Sequence, residues 1–187
     1  MPSSNRWTIA LGLASTTGAS AVTAGQDRLL PGIAASHQMA QTDLPRVLAL
    51  RDAFVSSGER FDVPPALLAA IASRESRCGH VLSPDGTGDN GNGFGIMQVD
   101  KRFHRVVGGP RSQEHIDQAT EIFADFRSQV QNKHPTWADK DVLKGALAAY
   151  NSGIGNVQTI DGMDIGTTGN DYGSDTIARG QFYSQHF

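Results

Sequence analysis

Thirteen residues, SPDGTGDNGNGFG (Ser83 to Gly95), constrain the fold most. Five glycines, spaced by Asp and Asn, give this stretch turn chemistry and deny it a helix. The segments on both sides carry apolar residues at helical spacing, so the chain reads as two helical regions joined by a small irregular element. FGIMQVD (Phe94 to Asp100) follows at once, short and apolar, and predicts a strand. The fold class expected is therefore α+β, predominantly α-helical, one domain with a small β-hairpin or sheet.

The helical segments are legible from their periodicity. Asp43 to Phe61 places Leu44, Val47, Leu48, Phe54 and Val55 on one face, with Ser57 and Gly58 as an end signal. Pro65 sits at a favoured first-turn position and opens a helix that Gly79 would stop. Ser112 to Val130 repeats Ile116, Ala119, Phe123, Phe126 and Val130, with Ser112 placed to cap. Thr136 to Gly153 aligns Leu143, Ala146, Leu147 and Tyr150, and a last helix from Ser174 turns Ile177, Ala178 and Phe182 inward. Residues 1 to about 40 are weakly patterned and read as loops with short helical pieces; residues 1–15 are expected to be a weakly structured segment ahead of a domain over 16–187.

Composition excludes several classes. Of the 187 residues 39% are hydrophobic and 19% charged, a globular balance with enough length for a core. A net charge of −3 leaves no basic footprint for nucleic acid and no polybasic membrane patch. No apolar run approaches the roughly 18 residues of a membrane span. The stretch from Trp7 to Ala14, followed by Ala-Val-Thr-Ala (Ala21 to Ala24), only loosely imitates a secretory signal. One cysteine, Cys78, permits no internal disulfide and leans toward a reducing compartment.

The chemistry concentrates around Glu75. Leu67, Leu68 and Ile71 form an apolar stripe, and one more step of four lands on Glu75. Apolar neighbours and the negative end of its own helix both favour the protonated carboxyl, which makes Glu75 a candidate general acid. The competing reading is an ion pair with Arg74, Arg77 or a distant lysine. Asp85, Asp89 and Asp100 lie in and just after the glycine-rich stretch. Turn chemistry accounts for Asp85 in Pro-Asp-Gly, less well for Asp89, and poorly for Asp100 at a strand end. A protonated acid on a helix with carboxylates facing it is what glycoside hydrolysis requires. DGTGDNGNG does not fit the spacing of a calcium loop, and His80, His104 and His115 lack metal-ligand spacing, so no metal or other cofactor is expected.

SRES, then GNGFGIMQVDKRFH, AYNSGIGNV and MDIGTTGNDY, in that order and with matching gaps, resemble a goose-type lysozyme of the lytic transglycosylase-like superfamily. TTGAS and GIAAS extend the resemblance toward the N-terminus. It implies antibacterial hydrolysis of the β-1,4 bond between N-acetylmuramic acid and N-acetylglucosamine in peptidoglycan, with inversion. On the matching motifs Glu75 falls on the catalytic acid, and Asp89 and Asp100 on two aspartates that position water. Gln98, His104, Tyr150, Asn151 and Tyr172 fall on the sugar groove, and Ile122 and Phe126 on its wall. Core packing is an equal alternative for Tyr150, and a helix C-cap is one for Asn151. The implied partners are peptidoglycan and N-acetylglucosamine oligosaccharides, with bacterial lysozyme inhibitors as further candidates and a monomer as the default.

Two departures matter. The positions of the bird disulfides look to be Ala21, Pro31 and Asp62 here, which resembles the disulfide-free fish branch. A sequence pI near 6.0 also removes the cationic attraction to anionic cell walls. Lysis by this chain is therefore expected to depend less on ionic strength than lysis by a basic lysozyme. A steep loss of rate with added salt in a turbidity assay would contradict this. Function points outside the cell or to a phagocytic compartment, whereas the single cysteine and the poor signal region allow an intracellular form. Two rival functions share these motifs: a lytic transglycosylase, which needs no activated water, and a wall-binding protein without turnover.

Overall fold

The computed structural model describes residues 4–187. Among the described residues there are eight α-helices, packed on one main core and a small second cluster at Ala19, Ala24 and Ala35: α1 (Ser4–Leu13), α2 (Ala21–Gly25), α3 (Ile33–Ala49), α4 (Arg51–Phe61), α5 (Pro65–Ser76), α6 (Gln113–Lys133), α7 (Asp139–Ser152) and α8 (Tyr172–Tyr183). Between α5 and α6 lies a three-stranded antiparallel sheet of two-residue strands, β1 (Thr87–Gly88), β2 (Gly93–Phe94) and β3 (Val99–Asp100). The fold is the expected predominantly helical α+β class. Among the described residues no helix is long and apolar enough to cross a membrane.

The core is built on α5. Leu67 to Ala72 is fully buried on every side, so this helix is a central shaft, not an amphipathic one with a single stripe. α3, α4 and α8 pack around it, and α6 packs on α7. Gly58 does not end its helix as expected: α4 continues to Phe61 and stops at left-handed Asp62, and Gly58 is instead a close-approach position, where a Cβ would meet the Val63 carbonyl at 2.6 Å. The helix read from Asp43 is in fact two: α3 begins ten residues earlier and stops at Ala49, and Leu50 leaves helical geometry before α4 starts.

The N-terminal expectation is corrected. Ser4–Leu13 is a regular helix with Trp7, Ala10 and Leu11 buried, not a weakly structured segment. Trp7 lies between two guanidinium groups, Arg6 at 4.7 Å and Arg127 at 4.4 Å from its ring centre. Arg6 in turn makes a bidentate pair with Asp139 at the start of α7 (2.7 and 2.6 Å). These long-range partners hold α1, and periodicity within the segment gives no sign of them. The Ala-Val-Thr-Ala of the signal-like stretch forms α2, capped by Ser20, with Ala24 fully buried.

The single strand expected over Phe94 to Asp100 is also corrected. Gly95 (φ 74°) and Gln98 (φ 53°) take left-handed backbone, so β2 and β3 are joined by a tight turn that buries Ile96 and Met97. Gly95 is required twice over, since a Cβ there would run into the His115 ring. Burial pushes the His115 imidazole down to about 4. Its neutral Nε2 accepts the Met97 N–H at 3.1 Å, which ties the turn to α6.

Past Ser76 the backbone reverses through Arg77 and Cys78, both left-handed, before Gly79. Cys78 is buried, and burial raises its thiol to about 12.

Candidate active site

A cleft of about 1130 Å³ runs between the sheet, α6 and the C-terminal end of α7. Glu75 lies at its floor, one residue from the end of α5. A second hollow of about 510 Å³ opens on the far side of Glu75, toward Asp27, Arg77 and His80. Glu75, Asn151 and Thr168 line both hollows, so Glu75 stands where the two meet.

Neither neighbouring arginine pairs with Glu75. Arg74 is spent on Asp171 (2.9 Å) and Asp175 (2.7 Å), and Arg77 on Asp27 (2.7 Å) and Asp43 (2.9 Å). The ion-pair reading of Glu75 therefore fails on geometry. Its Oε1 accepts a hydrogen bond from the Tyr172 hydroxyl at 2.6 Å. Burial is the largest influence and raises the carboxyl from 4.5 to about 7; the charge of Asp89 adds to the rise, and the Tyr172 hydrogen bond and the Arg74 charge oppose it.

The two aspartates both reach the cleft but in different states. Asp89 sits in a 3₁₀ turn whose three residues, Asp89, Asn90 and Gly91, all have positive φ. Its carboxylate is exposed and makes no hydrogen bond or ion pair among the described residues. Asp100, at the end of β3, is clamped by Arg102: Nε to Oδ1 at 3.0 Å, Nη2 to Oδ2 at 2.7 Å, and the Arg102 backbone N–H to Oδ1 at 2.9 Å. Those bonds hold the Asp100 carboxyl below the usual carboxylate range.

Gln98, His104, Tyr150, Asn151, Ile122 and Phe126 all line the same cleft, so the structure brings together residues from two of the sequence motifs and from α6. Gln98 lies flat across the sheet and donates to the Gly95 carbonyl at 2.9 Å; a Cβ at Gly88 or Gly93 would collide with its Oε1. Tyr150 serves both readings, packing near Phe123 and donating to the Met97 carbonyl at 2.7 Å while facing the groove. Asn151 is neither cap nor free donor: its amide exchanges two hydrogen bonds with Thr168 (3.1 and 2.9 Å), a bridge that borders both hollows. Tyr172 stands on the other side of Glu75. It lines the second hollow and not the main cleft, is 1% exposed, and spends its hydroxyl on Glu75 Oε1 at 2.6 Å.

Sequence reading missed what stands behind Glu75. Arg74 donates to Thr168 O, Asp171 and Asp175, and its guanidinium lies 5.2 Å over the Tyr172 ring. Asp175 also accepts from Ser36 and Arg179 (2.7 and 3.0 Å), and Asp43 from Ser73, Arg46 and Arg77 (2.6–3.0 Å). Each arginine and aspartate is unremarkable alone, and their separation in sequence hides the network.

An open cleft with one carboxyl raised to about 7 at its floor and a free carboxylate on its wall defines a carbohydrate-cleaving enzyme, a glycoside hydrolase on a helical lysozyme-like fold. Comparison with known proteins narrows the class. The family model "Lysozyme g" matches residues 12–187. "Lysozyme g" of Casuarius casuarius is 48% identical over 172 residues, 91% of this chain and 92% of that protein. "Lysozyme g" of Cyprinus carpio is 43% identical over 169 residues, covering 90% and 91%, and that of Epinephelus coioides 45% over 179 residues, covering 90% and 92%. The chain belongs to the lysozyme g family. Bird and fish members stand at similar identity to it.

Proposed function

We propose that this lysozyme hydrolyses the β-1,4 bond between N-acetylmuramic acid and N-acetylglucosamine with inversion, with Glu75 as general acid and Asp89 as general base. The state of Glu75 carries the reading: unpaired with any cation, held by Tyr172, and raised to about 7, it keeps a proton to deliver at neutral pH. Glu75 protonates the glycosidic oxygen. Asp89, with both oxygens free, takes a proton from water on the opposite face of the ring. Asp100, its oxygens engaged by Arg102, is a weaker base and a fixed acceptor that orients this water or a sugar hydroxyl. An inverting pair of this kind stands about 6.5–9.5 Å apart. The protein acts as a monomer, secreted or in a phagocytic compartment, on bacterial cell walls, and bacterial lysozyme inhibitors are partners that would compete for the groove.

Mass spectrometry of muropeptides released from purified peptidoglycan tests the reaction. Reducing ends from wild type, and none from Glu75→Gln, are the expected products; anhydro ends would make the enzyme a transglycosylase. The aspartates are separated by rate. Asp89→Asn is expected to lower turnover by about 10²-fold or more, the range of general-base assistance, and Asp100→Asn by less. Equal losses would contradict the division of roles.

The pH profile gives a signed test. The acid must be protonated, so activity falls as pH rises through about 7. Tyr172→Phe removes a bond that favours the ionised carboxyl, and moves this alkaline limb to higher pH. Asp89→Asn removes a charge that favours the protonated one, and moves the limb to lower pH in its residual activity. Shifts of the same sign in both variants would exclude Glu75 as the group responsible.

A further inference from the structure

We propose that Phe103 is a stacking platform for a pyranose ring of the bound glycan, at the rim of the cleft. The proposal rests on the groove assignment above and adds to it a binding residue outside the Glu75 centre. Phe103 is 78% exposed, yet it lines the same cleft as Glu75, Asp89 and His104. Isolated exposed apolar residues are common and need no explanation. This one differs in being both aimed at the groove and held in place.

The turn that carries it is fixed at both ends. On one side the Asp100 carbonyl accepts the backbone N–H groups of Phe103 (3.2 Å) and His104 (3.0 Å). On the other, Gln118 of α6 donates to the Arg105 carbonyl at 2.8 Å and accepts the Val107 N–H at 3.3 Å. The guanidinium of Arg102, itself clamped by Asp100, lies 5.8 Å from the Phe103 ring and backs it. An aromatic on so constrained a turn loses little freedom on binding.

The ligand chemistry follows from ring shape. A β-linked hexopyranose carries its hydroxyl and N-acetyl groups around its edge and presents flat C–H faces. The electron-rich face of a benzene ring attracts those polarised C–H groups. Phe103 has no polar atom, so it recognises the face and not the edge groups. It would accept N-acetylglucosamine and its lactyl ether alike and would tolerate peptide substitution.

The test is binding, measured in Glu75→Gln protein so that no glycan is cleaved. Isothermal titration with the N-acetylglucosamine hexamer is compared between Glu75→Gln, Glu75→Gln/Phe103→Ala and Glu75→Gln/Phe103→Trp. Loss of one aromatic stack is expected to weaken hexamer binding about three- to tenfold in the alanine variant, with the tryptophan variant at or below the parent Kd. Equal affinity in the parent and the alanine variant would overturn the proposal. Far-ultraviolet circular dichroism checks that the exposed substitution leaves the fold intact. The groove assignment fails separately: if Glu75→Gln binds neither the hexamer nor solubilised glycan strands, both readings fall. If Glu75→Gln still lyses cell walls, only the acid assignment does.

Discussion

Glu75→Gln is expected to remove lysis, lowering the rate by about 10²- to 10⁴-fold, and at the same time to stabilise the protein at neutral pH. The sign follows from proton counting. The folded carboxyl titrates at about 7 and its ordinary value is 4.5, so between those values the folded state binds more protons than the unfolded one. Stability due to this group is greatest at low pH and falls as pH rises from about 4.5 to about 7, where the full cost of burying a charge is reached. At 1.36 kcal/mol per unit, that cost is roughly 3 kcal/mol at most. Glutamine cannot ionise, and its carbonyl can still accept from Tyr172. Thermal unfolding of both proteins at pH 4.5 and pH 8 is the check. The variant should gain stability over wild type at pH 8 only; an equal difference at both pH values would refute the buried, proton-holding carboxyl.

Arg74→Met is expected to be the most destabilising single change in the site. Arg74 is the shared cation between Asp171 and Asp175, which lie in the buried layer behind α5. Removing it strands Asp171 without a cation, leaves Asp175 to Arg179 alone and frees the Thr168 carbonyl, at a cost of about 3–5 kcal/mol. For a chain of this length each kcal/mol is roughly 2–4 °C, so the melting temperature should drop by about 10 °C. Lysine is no substitute, because a point charge cannot reach two carboxylates and a carbonyl as the planar guanidinium does. Arg74→Met/Asp171→Asn should recover part of the loss by removing the stranded charge. If the double variant is no more stable than the single one, then packing of the arginine stem on Tyr172, not charge, is what matters.

Local physics was readable from the sequence wherever it dominates. Ser112 caps α6 by accepting from the His115 N–H, Pro65 opens α5, and the glycine-rich stretch is turns. Glu75, Asp89 and Asp100 were visible because carboxylates placed against apolar spacing or beyond turn chemistry ask for an explanation. The failures have a common origin in long-range contacts. α1 depends on Arg127 and Asp139, more than a hundred residues away. Tyr172 reads as a groove residue, but its bond to Glu75 and its place beneath Arg74 show only once α8 is packed on α5. Phe94 to Asp100 reads as one strand because left-handed backbone at Gln98 leaves no trace in a side-chain pattern. The weaker basicity of Asp100 depends on Arg102, two residues away but invisible as a clamp until the turn is built.

Cys78 changes how the lone sulfur is understood. It lies buried where the chain reverses after α5, and its thiol is raised to about 12, so almost none is present as the reactive thiolate near neutral pH. A folded molecule offers this sulfur to no disulfide partner, glutathione or peroxide. Meanwhile α1 is clasped by guanidinium groups and a carboxylate, which need no oxidation to form. Among the described residues, then, no internal covalent cross-link forms or breaks as the redox poise changes, and α1 is held by charge and packing.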